Sequence, residues 1–180
     1  FIINCLKTNN TPYGLDILWN AMDDSNEELI ETALTSLTEI FDGFNLGENT
    51  VKNYILLCLK RITNSESVIQ TIKLLRVLLL QVKSSLVRDF ENIVDIIVKE
   101  FVSYMSGVSM PMEGDILDTI FTGRYNHKVN IDTRLDFIQF LYNKHRLDIS
   151  QTHLFTLWEI IVTNSRSEAE KNIFYRFLLR

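Results

Sequence analysis

The sequence predicts an all-α fold, and three observations support this prediction. Apolar residues make up 46% of the 180 residues, and along most of the chain they recur three and four positions apart. Only six glycines and two prolines are present, which is few for a turn-rich β-sandwich. The β-branched residues all lie inside segments of helical periodicity, so no strand candidate remains. We therefore expect helices joined by short links.

The first two helices have clear start signals. The first begins at Thr11, with Pro12 at the first helical position, where proline is favoured. Its apolar positions are Leu15, Leu18, Trp19 and Met22. Ser25 and Glu28 have the spacing of a capping box and are expected to open the second helix. The buried stripe predicted for the second helix consists of Leu29, Ala33, Leu37, Ile40 and Phe41.

A glycine loop separates the second helix from the third. Gly43 and Gly47 end the second helix and form this loop. The third helix is expected from about residue 50 to 63. Its predicted buried stripe contains Val51, Ile55, Leu59 and Ile62. This periodicity predicts a helix that buries one face only.

The fourth and fifth helices are longer apolar segments. Ser65 or Ser67 is expected to begin the fourth helix, whose apolar residues spread over nearly its whole circumference. They are Ile69, Ile72, Leu75, Val77, Leu78, Leu79 and Val82. Such a helix should be covered on most sides. The fifth helix is expected from about Leu86 to Met105 and should close at Gly107.

Residues 106–129 interrupt the helical rhythm. This segment contains the stretch SGVSMPMEGD, a short apolar helix predicted over Ile116 to Phe121, and the polar link TGRYNHKVN. Helices then resume, with Asn130, Ser150 and Ser167 as the expected caps of segments 131–144, 151–163 and the last helix. The sequence thus predicts helical repeats over 1–105, an irregular segment with a short helix over 106–129, and further repeats of the same solenoid over 130–180.

The spacing of these helices predicts a repeat architecture. Helix starts near residues 12, 26, 50, 68, 86, 131, 151 and 168 fit pairs of about 35 to 45 residues. Two segments share the order Leu-x-x-Leu-Trp, a polar link and a serine–glutamate cap, namely LDILWNAMDDSNEELIETAL and LFTLWEIIVTNSRSEAEKNIF. In the second, Ser167 and Glu170 are expected to form a reciprocal capping box. We predict an armadillo/HEAT-like superhelical stack of antiparallel helix pairs, with Trp19 and Trp158 mostly buried.

Composition narrows the possible classes of partner. The net charge of −5 argues against duplex nucleic acid, because phosphate binding needs clustered positive charge. The basic spots at Lys60-Arg61 and at residues 144–146 are interpreted as solvated helix ends. The longest apolar run, at residues 77–80, is far short of the roughly 18 residues that a membrane span needs. Two cysteines and no visible signal peptide suggest a reducing compartment. Because the chain begins at Phe1 and ends inside a helical pattern, we expect a piece of a longer protein.

No catalytic, cofactor-binding or metal-binding residue is predicted. Cys58 lies among leucines and is interpreted as a buried core residue, and Cys5 has no histidine near it in sequence. His127, His145 and His153 lack the spacing that directs two imidazoles at one metal ion, so we interpret them as solvated or capping residues. Most paired carboxylates lie in first helical turns, where the helix dipole favours them. The aromatic residues of the 131–144 helix are expected to be buried: Phe137, Phe140 and Tyr142.

Residues 130–178 contain the stretch IDTRLDFIQFLYNKHRLDISQTHLFTLWEIIVTNSRSEAEKNIFYRFL. This stretch resembles a segment of the very large fat-facets-type ubiquitin-specific proteases (ubiquitin carboxyl-terminal hydrolases). The earlier stretch GLDILWNAMDDSNEELIETALTSLTEIF is similar to another unit of the same helical regions. The matching positions are Arg134, Leu135, Phe137, Ile149, Ser150, Leu157, Trp158, Val162, Phe174, Tyr175 and Phe177. These are interpreted as core and cap residues. The cysteine and histidine boxes of the family have no counterpart in this sequence, so no catalytic residue is transferred.

The resemblance implies a function. It implies a non-catalytic helical-repeat scaffold segment of a large cysteine deubiquitinase, contributing protein–protein or substrate binding in ubiquitin removal. The segment itself would not be an enzyme, whereas the parent chain would be a ubiquitin-specific cysteine protease. The alternative is a HEAT or armadillo adaptor for trafficking or complex assembly, unrelated to ubiquitin.

Further expectations accompany these two functions. The expected partners are proteins or ubiquitinated substrates, without nucleic acid, membrane or cofactor. The expected location is the cytoplasm, with the nucleus as a further option. Residues 106–129 are either a recognition loop or a disordered insertion.

Overall fold

The described residues form helices only, as the sequence predicts. The computed structural model describes residues 13–44, 46–64, 66–90, 92–108 and 126–179. Within these ranges there are nine α-helices and no strand. The chain divides into two compact units, Phe1–Lys83 and Ser84–Arg180. The sequence-based division into repeats over 1–105, an irregular segment over 106–129 and further repeats over 130–180 remains a prediction.

The described part of unit 1 contains four helices, of which the last is the most enclosed. The helices are α1 (Tyr13–Ala21), α2 (Glu27–Gly43), α3 (Glu48–Thr63) and α4 (Val68–Gln81). Helix α2 packs on α1, and α4 packs on both α2 and α3. Because α4 touches two helices, it buries nine of its residues, including the polar Gln70 and Thr71. The prediction that most sides of this helix pack against other helices is confirmed.

Helix α2 is capped and rotated differently from the prediction. Asn26 is the N-cap, and its side-chain oxygen accepts bonds from the backbone N–H groups of Glu28 and Leu29. Ser25 is therefore not the cap, because the carboxamide one residue later already satisfies the free N–H groups. Leu29 is exposed, whereas Ile30 and Leu34 join the buried stripe, so the prediction for Leu29 was wrong. Thr11 and Pro12 lie outside the described residues.

In unit 1, the loop predicted from the glycines and the helix start predicted from a serine are both confirmed. Gly43 ends α2, and Gly47 is the N-cap of α3 with φ of 82°, a left-handed conformation that glycine adopts without a steric penalty. Of the two serines predicted to begin the fourth helix, Ser67 is the N-cap of α4. Its hydroxyl donates to the carbonyl oxygen of Met22 at 3.1 Å, which ties the start of α4 to the end of α1.

Five helices lie in the described part of unit 2. They are α5 (Ser84–Arg88), α6 (Ile93–Val108), α7 (His127–His145), α8 (Gln151–Asn164) and α9 (Glu168–Leu179). Helix α6 packs on α7 and α8, α9 packs on the same two helices, and α5 packs on α7. The centre of this unit is filled by fully buried aliphatic and aromatic side chains, among them Ile97, Phe101, Ile138, Leu141, Leu157 and Phe174.

Two helix boundaries in unit 2 correct the sequence analysis. The predicted fifth helix is divided into α5 and α6, because Asp89 and Phe90 donate to carbonyls only three residues back and turn the chain. Helix α7 begins at His127, four residues before the predicted start. Its cap is Asn126, whose side chain accepts from the Val129 N–H, and not Asn130. The predicted short helix at residues 116–121 lies outside the described residues.

The caps of α8 and α9 follow the sequence signals with different partners. The Ser150 hydroxyl accepts from the His153 N–H, and His153 Nδ1 accepts from the Ser150 N–H, so a histidine completes this capping box. His153 Nε2 then lies 2.7 Å from Asp95 of α6. At α9, the Glu170 N–H donates to the Ser167 hydroxyl at 3.4 Å, but the Glu170 carboxylate accepts from Arg166 N–H instead of closing the predicted reciprocal box.

Candidate interaction surface

The described cysteine is a core residue. Cys58 is fully buried, and burial raises the pKa of its thiol well above the usual range, with the nearby Arg61 guanidinium opposing this shift. A thiol with a raised pKa forms little of the reactive thiolate at neutral pH. Cys5 lies outside the described residues. The described residues also contain no group of three or more histidines, cysteines or carboxylates arranged to hold a metal ion.

Two of the three histidines are buried, contrary to the sequence analysis. His127 and His145 are 2% and 1% exposed, whereas His153 is the capping residue that the sequence allowed. Both buried histidines lie at the ends of α7, and this helix packs on α5, α6 and α9. Their position at the ends of a helix with an apolar face is the signal that the sequence analysis missed. Burial lowers the pKa values of both imidazoles, so both favour the neutral form.

A buried ion pair joins α6 to α7. Arg134 Nε and Nη2 donate to the two carboxylate oxygens of Glu100 at 2.6 and 2.7 Å, in a bidentate arrangement. Its Nη1 donates to the backbone and side-chain oxygens of Asn130. The guanidinium carbon also lies 4.3 Å from the centre of the Tyr104 ring. Every nitrogen of this buried arginine is therefore hydrogen-bonded.

The same cluster continues from Tyr104 to α9. Burial raises the pKa of Tyr104 to about 12, so its hydroxyl remains protonated and can donate to His127 Nδ1 at 2.8 Å. The imidazole proton then belongs on Nε2, which lies 3.5 Å from Glu170 Oε2. That separation is too long for a well-formed hydrogen bond, and His127 Nε2 has no closer partner. This buried chain is enclosed by α6, α7 and α9, so its arrangement suits positioning of helices and not access by a substrate.

Unit 1 has a polar cluster of a different kind at the end of α3. The buried Arg61 pairs with Asp23, whose side chain is 54% exposed, and its guanidinium carbon lies 4.4 Å from the centre of the Trp19 ring. Tyr54 contacts Trp19 edge to face and donates to Asp16 at 3.2 Å. Arg61 is thus not part of a solvated basic helix end, because the Trp19 ring covers it. Trp19 itself is half-buried.

An exposed apolar surface runs along α8 and α9. We define the α8–α9 aromatic surface by Phe155, Trp158 and Val162 of α8 and Tyr175 of α9, all exposed. The three α8 residues are spaced three and four positions apart and so share one helix face. The Trp158 and Tyr175 rings lie 5.9 Å apart, which joins the two helices into one surface. Trp158 is 39% exposed, so the larger part of it is buried, as predicted, and the rest contributes to this surface.

A groove lined by α7, α8, α9 and the loop before α8 adjoins this surface. We define the α7–α9 groove, of about 350 Å³, by its described lining residues. We call its apolar members the floor (Ile149, Leu154, Phe177 and Leu178) and its polar members the rim (Gln139, Tyr142, Asn143 and Asp148). Phe177 stacks on Phe174, which in turn contacts Trp158, so aromatic packing links the groove floor to the α8–α9 aromatic surface. Tyr142 is 49% exposed, and it was wrongly predicted to be buried with Phe137 and Phe140.

Unit 1 has a groove at the loop between α2 and α3. Its volume is about 540 Å³, and its lining includes Asp42, Glu48 and Lys83. Two carboxylates and one lysine share this described lining, so it has no strong charge of either sign. The exposed large apolar residues of unit 1 are also separated, with members on all four of its helices: Ile17, Leu29, Leu56, Leu57 and Leu80.

The chain matches the family model described as the UBP24/USP9X/USP9Y ARM repeat over residues 7–180. It belongs to this family. It is an armadillo-like region of a ubiquitin-specific protease of the USP9X type, and the resemblance identified from the sequence is confirmed. Neither the curated proteins nor the solved structures include a significant match to the chain.

The positions that carry the family resemblance have two structural roles. Arg134, Leu135, Phe137, Leu157 and Phe174 are buried, as expected of core residues. Trp158, Val162 and Tyr175 belong instead to the α8–α9 aromatic surface, which corrects their interpretation as core. The described residues include no helix that is long and apolar enough to span a membrane.

Proposed function

We propose that this armadillo-like region is a non-catalytic scaffold segment that binds protein partners or ubiquitinated substrates of a cysteine deubiquitinase. The α8–α9 aromatic surface carries the proposal. Contiguous exposed apolar residues are unusual on a soluble protein and mark interaction sites. Tryptophan and tyrosine are also enriched among the residues that dominate protein–protein binding energy. Trp158 and Tyr175 touch each other and are both exposed, which suits such a role.

The family match favours this function over the alternative adaptor. An adaptor for trafficking or assembly would have the same helical fold, so the fold does not separate the two functions. A match over residues 7–180 to the repeat of a ubiquitin-specific protease family does separate them. The thiol-protease activity of the parent chain, a cytoplasmic or additionally nuclear location, and the lack of nucleic-acid partners belong to the same proposal. The net charge of −5 supports the last of these.

The test compares two kinds of substrate in the parent protease. Removing residues 1–180 should raise KM for ubiquitinated protein substrates that depend on this region, while kcat/KM for a fluorogenic ubiquitin derivative stays near normal. The physical reason is that a remote binding surface contributes to capture of the protein part of the substrate, which the minimal substrate lacks. Substrates are first found as the conjugates that accumulate in cells expressing the deletion, and each is then purified and assayed.

Point substitutions provide a matched control. Replacing Phe155 and Trp158 by serine should reproduce the increase in KM, because both side chains are already exposed and their loss leaves the fold intact. The matched variant replaces Ile17 and Leu56, exposed apolar residues of unit 1, and should leave KM unchanged. Loss of turnover of the fluorogenic substrate, with the catalytic domain still folded, would contradict the proposal. An unchanged KM for every accumulated conjugate would contradict it as well.

The chemistry of the segment can be tested separately. A ubiquitin derivative with a cysteine-reactive group should not label the 180-residue chain, because the Cys58 thiol is fully buried and its pKa is raised. A Cys58→Ser variant distinguishes the two cysteines if labelling occurs. Rapid labelling at Cys58 or at Cys5 would show that the segment has its own thiol chemistry and would overturn the non-catalytic interpretation.

A further inference from the structure

We propose that the α7–α9 groove binds an extended peptide segment of a partner protein, with an apolar side chain on its floor and a lysine or arginine beside Asp148. This inference deepens the proposed protein-binding function and rests on it. The groove has a volume of about 350 Å³, near the lower end of the range for pockets that hold small ligands. It would therefore enclose one or two side chains and not a whole folded domain.

The rim of the groove can bind a peptide backbone. Gln139 and Asn143 each provide a side-chain amide, which donates and accepts hydrogen bonds as a peptide group does. They are four residues apart on α7, which places them about 6 Å apart along the helix axis. An extended chain repeats every two residues over about 6.6 Å. The two amides are thus spaced to reach successive equivalent peptide groups of an extended segment.

These rim groups are free to act. In the described part of the chain, the side chains of Gln139, Tyr142, Asn143 and Asp148 make no hydrogen bond or ion pair. This contrasts with the buried cluster of the same unit, where Arg134 uses every nitrogen within the protein. Four unpaired polar side chains around an apolar floor leave hydrogen-bonding capacity for a ligand that is both polar and apolar.

The floor selects an apolar side chain of the ligand. Ile149, Leu154 and Phe177 are each half-buried, and Leu178 is 50% exposed. Covering these side chains removes apolar surface from water, which contributes roughly 25 cal/mol per Å². A purely polar peptide would leave the floor wet and would gain nothing there. The floor therefore favours a peptide with an aliphatic or aromatic residue between its two contacts with the rim.

Charge selects the flanking residue. Among the described residues that line the groove, Asp148 is the one carboxylate, and none is a lysine or an arginine. Lys144 and Arg146 lie nearby in sequence but do not line the groove. A cationic side chain of the ligand would meet Asp148 at the rim, whereas an acidic one would be repelled. Because Asp148 is exposed, this contribution is small and mainly sets preference.

An extended peptide fits these groups better than a helix does. The backbone groups of a helix bond to each other, so Gln139 and Asn143 would find only side chains to bind. A second copy of this chain would bring helices to the groove, since the described residues are helices and their links. The unpaired amides therefore favour an extended occupant.

The experiment selects ligands from a displayed library of random linear octapeptides on the purified 180-residue chain. Enriched peptides should share an apolar residue with lysine or arginine within about two or three positions. Synthetic peptides are then measured by fluorescence polarisation. Replacing Gln139 and Asn143 together by alanine should weaken every selected peptide about tenfold, because several hydrogen bonds are lost. N-methylation of the peptide backbone at the contacted position should have a similar effect.

Asp148 is tested by its effect on preference. Asp148→Asn should weaken peptides with the basic residue about two- to fivefold, as for an exposed ion pair, and leave the same peptides with glutamine in that position unchanged. Asp132→Asn, an exposed carboxylate of α7 outside the groove, should change neither. Asn53→Ala, an exposed amide of unit 1, is the matched control for the amide variant.

Three outcomes would overturn the inference. One is selection of no peptide, the second is equal binding by the Gln139→Ala/Asn143→Ala variant, and the third is selection of peptides with helical apolar spacing. Failure here is distinguishable from failure of the proposed function. In that case the Phe155 and Trp158 substitutions would still raise KM for protein conjugates, since they lie outside the groove. If neither experiment shows an effect, both the inference and the proposed function fail.

Discussion

Among the described residues, each unit buries one arginine, but the two arginines are stabilised in different ways. In unit 1, Arg61 pairs with a carboxylate that is 54% exposed, and Nη1 of Arg61 has no partner. In unit 2, Arg134 forms two bonds with a carboxylate that is only 5% exposed. The difference matters because water can solvate Asp23 when its partner is lost, but it cannot reach Glu100. Loss of the arginine should therefore cost more stability in unit 2 than in unit 1.

The surfaces of the two units differ as well. Among the described residues, the exposed large apolar side chains of unit 1 are aliphatic and distributed over four helices, whereas those of unit 2 lie on α7, α8 and α9 and include four aromatic rings in addition to aliphatic residues. The buried polar cluster of unit 2 holds α6, α7 and α9 together without using its surface residues. This arrangement leaves α8 and the outer side of α9 free to display aromatic rings.

The largest expected effect tests the two arginines. Arg134→Met should lower the free energy of unfolding of unit 2 by about 3–5 kcal/mol, because it leaves Glu100 buried and unpaired. Arg61→Met should lower that of unit 1 by about 1 kcal/mol, mainly through loss of the contact with Trp19. The measurement is urea denaturation. The chain has two tryptophans, one in each unit, so Trp158→Phe and Trp19→Phe backgrounds report unit 1 and unit 2 separately.

A double variant serves as the control for the first prediction. Glu100→Leu combined with Arg134→Met should recover most of the lost stability, because no charge then remains buried. Equal destabilisation by the two single arginine substitutions would show that exposure of the partner does not decide the cost, and the comparison between the units would not hold.

The second prediction concerns the two tryptophans. Trp19→Ala should destabilise unit 1 by about 2–3 kcal/mol, because the indole packs against Tyr54 and Arg61. Trp158→Ala should cost only about 1 kcal/mol, since much of the ring already faces water. Urea unfolding followed by circular dichroism at 222 nm measures both. If the Trp158 variant is the less stable of the two, the α8–α9 aromatic surface is a packed part of the fold.

The third prediction tests one cap in each unit. Asn26→Ala and Ser150→Ala should each lower the free energy of unfolding by about 1 kcal/mol, because backbone N–H groups lose their acceptors. Ser25→Ala is the matched control for unit 1 and should change stability by no more than a few tenths of a kcal/mol. A larger loss for Ser25→Ala than for Asn26→Ala would restore the cap that the sequence favoured.

The fourth prediction separates the units by pH. All three histidines lie in unit 2, and burial lowers the pKa values of His127 and His145. The unfolded chain, with histidine pKa values near 6.5, then binds more protons than the folded chain below that pH. The stability of unit 2 should therefore fall as pH decreases from about 7 to 5, while unit 1 changes less. Glu170 faces His127 and opposes this trend.

Two-probe denaturation at several pH values measures this dependence. Replacing His127 and His145 by glutamine should flatten the response of unit 2 between pH 7 and 5. The same slope in both units, or an unchanged slope in the double variant, would show that other groups control the pH dependence.

Local signals in the sequence determined the all-α class, most helix positions and the buried Cys58. These signals are the helical periodicity, the glycines around α2 and α3, and the serine before α8. Each depends on residues that are close in sequence, so its effect on the backbone depends little on the rest of the fold. The family resemblance also depended on local patterns, which the match over residues 7–180 confirms. No local signal suggested a nucleophile or a metal site.

Tertiary structure alone decided which side of each helix faces another helix. Leu29 and Trp158 have the apolar character of core residues but are exposed, because no described helix covers their side of α2 or α8. Arg134 and His127 are polar and yet buried, because Glu100, Tyr104 and Glu170 reach them from two other helices. Glu100 and Arg134 are 34 residues apart in sequence. The groove has the same origin, since its floor combines residues of α8, α9 and the preceding loop. Burial depends on which other helices pack against a residue, and the periodicity within one helix does not specify them.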